Sequence, residues 1–409
     1  MVTVDSGDIL RPCASAEGTL RLPWKRWRKG DDIARPTCFF LTGGPGISNL
    51  RFTPPRAWIE NMDVVTLEYR GVGQSSLRLN APSLNAAVLQ PLSALSLAGA
   101  EGMRPYFAAG FQEMNEQGIV FEEFGLSALA DDIEAARQEL GCGKIFLIAH
   151  SFGTRIAQVV QTRYRASVAG SLLLGCNSPA HRGLIWFPGT TNSVWSRWAE
   201  SDSAQEKGIG NDVAQRLLHG WDRQGYWNPG DSAALMMAFF RSFSSDAQLP
   251  LMRTLLAAEK GKSPAWFFMG RSYSAVARLM FNWADFFLKG YLVEGDRRAI
   301  ELADSQGENA LFASPSSVFF SGLEEFYEAG GRQDDAHSVN WSKTILVTGE
   351  FDTSTPIELL PEQVPTTHRI ILPGAGHAQS LQQAKIQGVQ WLQEYFGPEF
   401  MGQASLRTR

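Results

Sequence analysis

The sequence predicts an α/β fold, with a mostly parallel central sheet flanked by helices and interrupted by an inserted, mostly helical cap. Short apolar runs repeatedly end in glycine-rich loops, as buried parallel strands do. Amphipathic helical stretches alternate with these runs. The alternation stops at residue 178 and resumes after residue 340. Together these observations indicate one α/β unit that an insertion divides in two.

The first half of the predicted sheet contains two short apolar runs. Residues 37–41 form a run that stops at the chain breakers of residues 43–46, and residues 63–67 stop before the glycines of residues 70–73. Bulky apolar residues followed by breakers are typical of strands buried on both faces. An earlier alternation of apolar and polar residues at 20–24 predicts an edge strand with a solvated face.

A β-α-β unit follows. An amphipathic helix is predicted over residues 126–140, a strand over 144–149, a helix over 154–164 and a further strand over 168–174. A strand, a turn, a helix and a strand in this order form a parallel unit. After the interruption, residues 343–348 and 369–372 predict two more strands, and a closing amphipathic helix lies between residues 381 and 395.

The interrupting segment differs in composition from its flanks. It holds seven of the chain's 12 tryptophans and no regular alternation of strand and helix. We therefore predict three parts: a first part of the α/β core at residues 1–177, a helical cap at 178–340 and a second part of the core at 341–409.

Composition limits the classes of function. Hydrophobic residues make up 44% of the chain and charged residues 19%, which is enough apolar material for a globular core and excludes a disordered protein. The net charge of −5 gives no general positive surface for a phosphate backbone, so we expect no nucleic-acid partner. The expected partner is a small-molecule or short-peptide substrate, and the oligomeric state is left open.

The cysteines and the apolar segments bear on location. The four cysteines are scattered without the close pairs of a zinc site, so we expect free thiols in a reducing compartment. We also expect neither a metal nor a cofactor. No signal-peptide pattern opens the chain, and no run of about eighteen apolar residues occurs. These features predict a cytoplasmic protein with no membrane partner.

Ser151 is the candidate nucleophile. It lies in the turn between a predicted strand and a predicted helix, with the small residues Ala149 and Gly153 two positions before and after it. A serine becomes reactive only when a base takes its proton and a third group orients that base. Asp352 and His377 each follow a late strand, at the edge where active sites of open α/β sheets gather. This predicts a Ser151, Asp352 and His377 triad.

Alternatives exist for two of these roles. Glu350 could replace Asp352 as the orienting acid, although we favour a solvated loop carboxylate. The chain has six histidines, and only His377 follows a late strand in a glycine-rich loop. His150 adjoins the serine, but we expect its ring to point away from the nucleophile.

Acyl transfer also requires hydrogen-bond donors for a developing oxyanion. The backbone amide of Phe152 is one candidate because it follows the nucleophile directly. The second donor is expected from Gly43 or Gly44, after the first buried strand, although an ordinary tight turn would also explain these glycines.

Five motifs together resemble the α/β-hydrolase superfamily and, within it, the proline iminopeptidases and tripeptidyl aminopeptidase-like serine peptidases. The motifs are TGGPG at residues 42–46, LEYRGVGQS at 67–75, HSFG at 150–153, GEFDTSTP at 349–356 and GAGH at 374–377. The family usually has histidine where this chain has Thr42 and aspartate where it has Glu68. The resemblance implies an α/β-hydrolase fold, the same triad and the same oxyanion donors.

Three functions follow as hypotheses. The first is a serine hydrolase with an acyl-enzyme on Ser151, most simply an aminopeptidase or amide hydrolase and hence a protease. The second keeps this machinery but acts as an esterase, thioesterase or lactonase on a bulky apolar acyl substrate. The third is a non-catalytic ligand-binding protein. Asp285, among apolar neighbours in the cap, is the candidate partner for a substrate ammonium group, while Arg70 is expected to form a structural ion pair.

Overall fold

The computed structural model describes most of the two predicted core parts. The described residues are 1–30, 35–89, 97–176, 194, 197, 198, 200, 201, 279, 281–292, 339–352 and 354–402. The predicted cap, residues 178–340, therefore lies outside the described residues except at those positions. Its helical character and its boundaries stay predictions.

An eight-stranded sheet forms the centre of the described structure. Its strands are β1 (Val2–Cys13), β2 (Gly18–Lys29), β3 (Thr37–Leu41), β4 (Asp63–Leu67), β5 (Ile145–His150), β6 (Val168–Leu174), β7 (Thr344–Gly349) and β8 (Arg369–Leu372). The spatial order is β1-β2-β4-β3-β5-β6-β7-β8. The β1–β2 and β2–β4 pairs are antiparallel, and every other neighbouring pair is parallel. The predicted mostly parallel sheet is confirmed.

Helices cover both faces of this sheet. In the described part of the chain they are α1 (Arg56–Asn61), α2 (Pro82–Leu89), α3 (Leu97–Glu116), α4 (Leu126–Glu139), α5 (Phe152–Arg163), α6 (Trp283–Phe287) and α7 (His377–Gly402). A π-helical turn, Leu288–Leu292, follows α6 directly. Helices α4 and α5 pack on one face, and α1 and α7 pack on the other.

Strand β3 shows how the sheet forms two cores. All five of its residues are buried, and successive side chains point to opposite faces. Phe39 belongs to the cluster under α4 and α5, whereas Phe40 belongs to the cluster under α1 and α7. The buried Trp58 of α1 donates a hydrogen bond of 3.1 Å from Nε1 to the carbonyl oxygen of Ala384, which links the two helices on that second face.

Several predicted strands agree closely with the structure, although β8 is partly exposed along its whole length. Four apolar runs, at 37–41, 63–67, 168–174 and 369–372, coincide with β3, β4, β6 and β8. The early strand was predicted wrongly as an edge strand. It is part of β2, which lies inside the sheet because β1 pairs along its outer side.

Arg70 forms the structural ion pair that the sequence predicts. It is 4% exposed, and its guanidinium contacts both carboxylate oxygens of Asp132 on α4, at 2.5 and 2.7 Å. Arg11 of β1 donates to the same carboxylate at 2.8 Å. Asp132 therefore joins the loop after β4, the edge strand and α4 through one buried group.

Two further features bear on the sequence predictions. The four cysteines all fall within the described residues, where they are buried and form no disulfide. Among the described helices, none is both long and apolar enough to cross a membrane.

Substituting Asp132 with alanine should lower the free energy of unfolding by about 3 to 5 kcal/mol, because it leaves buried arginine charge without a partner. The neighbouring Asp131 is the matched control: its ion pair with Arg163 is partly exposed, with the arginine side chain 43% and the aspartate 33% accessible, so Asp131→Ala should cost no more than about 1 kcal/mol. Urea unfolding of both variants measures the difference. Equal losses would contradict the role given to Asp132.

Candidate active site

Ser151 occupies the sharp turn between β5 and α5. Its backbone angles, φ 54° and ψ −123°, lie in a region that residues with side chains rarely adopt. The turn is held by a hydrogen bond of 2.9 Å from the Ser151 amide to the carbonyl oxygen of Leu174, at the end of β6. Thr154 donates to the Ser151 carbonyl oxygen from its amide at 2.8 Å and from its hydroxyl at 2.6 Å. This geometry is typical of a nucleophile elbow.

Gly153 is required by the close packing of this turn. A Cβ at position 153 would collide with the carbonyl oxygens of Leu41 and Thr42, at the end of β3. Ala149, two residues before Ser151, lies within β5 and is fully buried. The alanine is accommodated there because it belongs to the strand rather than to the turn.

The structure brings Asp352 and His377 together. Asp352 is fully buried in the loop after β7, and His377 is the first residue of α7. A hydrogen bond of 2.8 Å joins Nδ1 of His377 to Oδ2 of Asp352. The pair is thus formed between two loops at the carboxyl edge of the sheet.

Three further donors fix the Asp352 carboxylate. The amides of Ser354 and Thr355 donate to Oδ1, both at 2.8 Å, and the Thr355 hydroxyl donates to Oδ2 at 2.6 Å. Burial by itself would raise the pKa of Asp352, but the neighbouring His377 and these hydrogen bonds hold that pKa below its ordinary value. The group therefore stays an anion, as an orienting acid must. The sequence motif contains Thr355, but no signal in it indicates the hydroxyl contact.

Ser151 and His377 both contact residues at the C-terminal end of β6. Leu174 accepts the amide hydrogen of Ser151, and the next residue, Gly175, lies against the imidazole: a Cβ there would be 2.9 Å from Cε1 and from Nδ1 of His377. The His377 Nε2 atom is buried and finds no hydrogen-bond partner among the described residues. A hydrogen bond from Ser151 to this atom, which would complete the predicted triad, is not formed in the part of the chain described. Such contacts often tighten only when substrate binds.

The alternative acid, Glu350, has another contact. Its Oε2 atom accepts a hydrogen bond of 2.8 Å from the amide of Gly374, which ties the loop after β7 to the loop before α7. The carboxylate is half-buried and is bonded to the backbone through this oxygen. In the described structure the carboxylate bonded to the His377 ring is that of Asp352.

The other histidines are placed differently. The ring of His150 packs against the ring of His377, with centroids 4.9 Å apart. Nδ1 of His368, at the start of β8, is hydrogen-bonded to the carbonyl oxygen of Thr344 at 3.1 Å. The remaining three, His181, His219 and His337, lie outside the described residues.

The predicted oxyanion donors lie beside the serine. A Cβ at Gly43 would be only 2.8 Å from Cβ of Ser151, so the turn after β3 passes directly over the nucleophile. Within the described residues, the amides of Gly43, Gly44 and Phe152 donate no hydrogen bond to another group of the protein.

Glu68, which replaces the usual aspartate, is fully buried and holds two loops together. Its carboxylate accepts hydrogen bonds from the hydroxyl of Ser48 at 2.6 Å, from the amide of Asn49 at 2.9 Å and from the amide of Gln74 at 3.0 Å. The first two donors follow β3 and the third follows β4. Sequence reasoning found the substitution but not this structural role.

Asp285, the candidate for binding a substrate amine, already has an ammonium partner. Its Oδ1 atom lies 2.5 Å from Nζ of Lys289, and both side chains are 1% exposed. Its Oδ2 atom accepts a hydrogen bond of 2.9 Å from the amide of Gly46. Burial raises the pKa of Asp285, and the charge of Lys289 opposes that shift. A substrate amine would have to displace Lys289.

No metal site is found in the described part of the chain, where no group of three or more histidine, cysteine, aspartate or glutamate side chains is arranged to hold an ion. The residue types at the site, serine, histidine and aspartate, are those of nucleophilic catalysis.

Comparison with known proteins agrees with the sheet topology. The family described as alpha/beta hydrolase fold matches residues 36–202. The protein YuaR of Escherichia coli (strain K12) is 29% identical over 153 residues, which are 36% of this chain and 28% of that protein. The chain thus matches less than a third of the length of this curated relative.

Solved structures are similar at low sequence identity. A thermophilic esterase from Thermogutta terrifontis has 14% identity and a TM-score of 0.43, covering 95% of this chain and 99% of its own. A hydrolase from Pseudomonas aeruginosa PA01 has 11% identity and a TM-score of 0.42, covering 96% and 98%. With the family match and the observed sheet, the predicted α/β-hydrolase fold is confirmed.

Replacing Thr355 with valine should lower the free energy of unfolding at pH 7 by about 1.5 to 3 kcal/mol, because the buried carboxylate of Asp352 loses a hydrogen bond. The folded-state pKa of Asp352 is lowered, so the stabilisation is present above the ordinary carboxyl pKa and is lost as the pH falls through the folded value. The difference between the native chain and Thr355→Val should therefore shrink in acid.

Urea unfolding at pH 7 and at several pH values below the ordinary carboxyl pKa of about 3.9 measures this difference, because the folded-state pKa of Asp352 lies lower still. Thr355→Ser keeps the hydroxyl and serves as the control. A loss for valine that does not change with pH would show that only packing is affected.

Proposed function

We propose that this chain, which has the α/β-hydrolase fold, is a serine hydrolase that forms an acyl-enzyme on Ser151. The observation that carries the proposal is the hydrogen bond between the buried Asp352 and His377, at the sheet edge where Ser151 sits in its strained turn. A strained backbone at a nucleophile is typical of a functional site.

The residues support a two-step acyl transfer. His377 takes the proton of the Ser151 hydroxyl through Nε2 while the serine oxygen attacks the substrate carbonyl carbon. The amide of Phe152 and that of Gly43 or Gly44 stabilise the resulting oxyanion. His377 then gives the proton to the leaving group, and a water molecule releases the acyl group by the same steps. Asp352 keeps the imidazole oriented through Nδ1 and stabilises its charged form.

Amide and peptide bonds are the leading substrate class, with a free amino end as in an aminopeptidase. The support is the motif resemblance, which covers both core parts and includes the TGGPG turn and the triad loops. An aminopeptidase must compensate the cost of desolvating an ammonium group with a carboxylate. That carboxylate would come from the cap, most of which lies outside the described residues.

An esterase, thioesterase or lactonase is the second candidate. The observation in its favour is the ion pair between Asp285 and Lys289, which occupies the carboxylate that the sequence singled out for a substrate amine. An ester or lactone requires no such carboxylate, because it carries no ammonium group.

A fluorophosphonate probe tests the proposed nucleophile. Native protein should take one label per chain, at Ser151, and Ser151→Ala should abolish labelling while the protein stays folded, because only an activated serine attacks phosphorus readily.

The orienting acid is tested by its effect on turnover. Asp352→Asn should lower kcat on any substrate by about 10³ to 10⁴, and the control Glu350→Gln should lower it by less than about tenfold.

Two results would contradict these assignments. Persistent labelling of the alanine variant would remove Ser151 as the nucleophile. A larger effect of Glu350→Gln than of Asp352→Asn would transfer the orienting role to Glu350.

The substrate class is tested with a panel of aminoacyl anilides and aryl esters. If the protein is an aminopeptidase, acetylating the amino end of a good anilide should lower kcat/KM by at least about thirtyfold, because a buried carboxylate loses its partner. Equal turnover of free and acetylated substrates, or turnover of esters alone, would favour the second candidate and leave the triad in place.

A further inference from the structure

One short cap segment, residues 282–289, is bonded to the turn that carries the proposed oxyanion donors. The amide of Asn282 donates to the carbonyl oxygen of Gly46 at 2.7 Å. The amide of Gly46 in turn donates to Oδ2 of Asp285 at 2.9 Å. Both backbone hydrogen-bonding groups of Gly46 are therefore taken up by this segment.

Close packing makes this contact specific. Gly46 has a φ of 85°, and a Cβ there would lie 2.6 Å from the carbonyl oxygen of Asn282. Only glycine permits this approach, so the turn and the segment touch through their backbones. A Cβ at Gly44 would lie 3.3 Å from the amide nitrogen of Gly46, so the two glycines of this turn are packed closely against each other.

The same segment holds the loop after β4. Lys289 donates from Nζ to the carbonyl oxygen of Arg70 at 2.6 Å. The side-chain amide of Asn282 donates to the carbonyl oxygens of Gly71 at 3.2 Å and Leu79 at 2.9 Å. The segment thus bonds to the backbones of two loops that lie at the carboxyl edge of the sheet.

A buried ion pair is poorly explained by stability alone. Removing two charges from water is costly, and replacing such a pair with apolar residues of similar size is often neutral or stabilising. Asp285 and Lys289 are each 1% exposed. What an apolar pair could not supply is an acceptor for the Gly46 amide and a donor for the Arg70 carbonyl oxygen.

We propose that Asp285, paired with Lys289, is a positioning residue that fixes the turn at residues 43–46 and so holds the proposed oxyanion donors in place. The inference rests on the proposed function. In this role Asp285 does not contact the substrate. It acts through Gly46 on the donors that stabilise the transition state.

Two double variants test this role and differ in a single group. Asp285→Asn with Lys289→Met removes both charges but keeps a side-chain oxygen for the Gly46 amide. Asp285→Leu with Lys289→Met removes the charges and that acceptor. Neither variant leaves an unpaired buried charge, so both are expected to fold, which circular dichroism and thermal unfolding check.

The readouts are the rate of fluorophosphonate labelling at Ser151 and the kcat and KM for an aryl ester. The leucine variant should react at least about tenfold more slowly than the asparagine variant in both assays, because displaced donors stabilise the oxyanion less well. KM should change by less than about threefold, since the ground state of the ester makes little use of these donors. If the leucine variant does not fold, Asp285→Ala with Lys289→Met takes its place.

The outcomes separate this inference from the proposed function. Native protein that takes no label contradicts the proposed function, and this inference with it. Native protein that is labelled, with equal rates for the two double variants, contradicts this inference alone. An effect confined to KM, with the labelling rate and kcat equal in the two double variants, would also overturn it, because it would make Asp285 a substrate-binding residue.

Discussion

The candidate site depends on very close packing at the C-terminal ends of the parallel strands. At several positions there the backbone lies so near to a neighbouring group that no side chain would fit. Four glycines mark these approaches: Gly43 against Ser151, Gly153 against the end of β3, Gly175 against the His377 ring and Gly349 against the loop before α7. Because β3, β5, β6 and β7 are parallel, their ends meet at this one edge. A side chain at any of these positions would separate loops that must touch. The close packing at these strand ends therefore sets the distances between the residues of the proposed triad.

Buried carboxylates then fix the loops that this close packing brings together. Asp352, Glu68, Asp285 and Asp132 are each 2% exposed or less and accept hydrogen bonds from backbone amides or from buried cationic groups. A loop at a sheet edge has unpaired amides that need acceptors. A carboxylate can satisfy two or three of them from one position. Loops held in this way have backbone amides of fixed position and direction. The proposed oxyanion donors require both.

The sequence predicts those parts of the molecule whose signal is local. Strands β3 and β6 were predicted at their observed bounds because every residue in them is buried and the apolar run is unbroken. Strand β1 was not predicted, because only Ile9 and Cys13 of its twelve residues are buried and its pattern is mostly polar. The pairing of Asp352 with His377 followed from two strand ends with short loops. The contact between Gly46 and Asp285 spans 239 residues, and no local pattern indicates it.

The strained backbone of Ser151 has a consequence for the energetics of the whole chain. A residue with a side chain in such a conformation costs of order 1 to 3 kcal/mol, a cost that glycine would largely avoid. Total stabilities of folded proteins are only about 5 to 15 kcal/mol. Selection for a more stable fold would therefore act against Ser151, the residue that we propose as the nucleophile. A serine at position 151 therefore implies a trade-off between stability and the proposed activity. The strain in the turn lowers the free energy of unfolding, and the packing of the surrounding sheet offsets that loss.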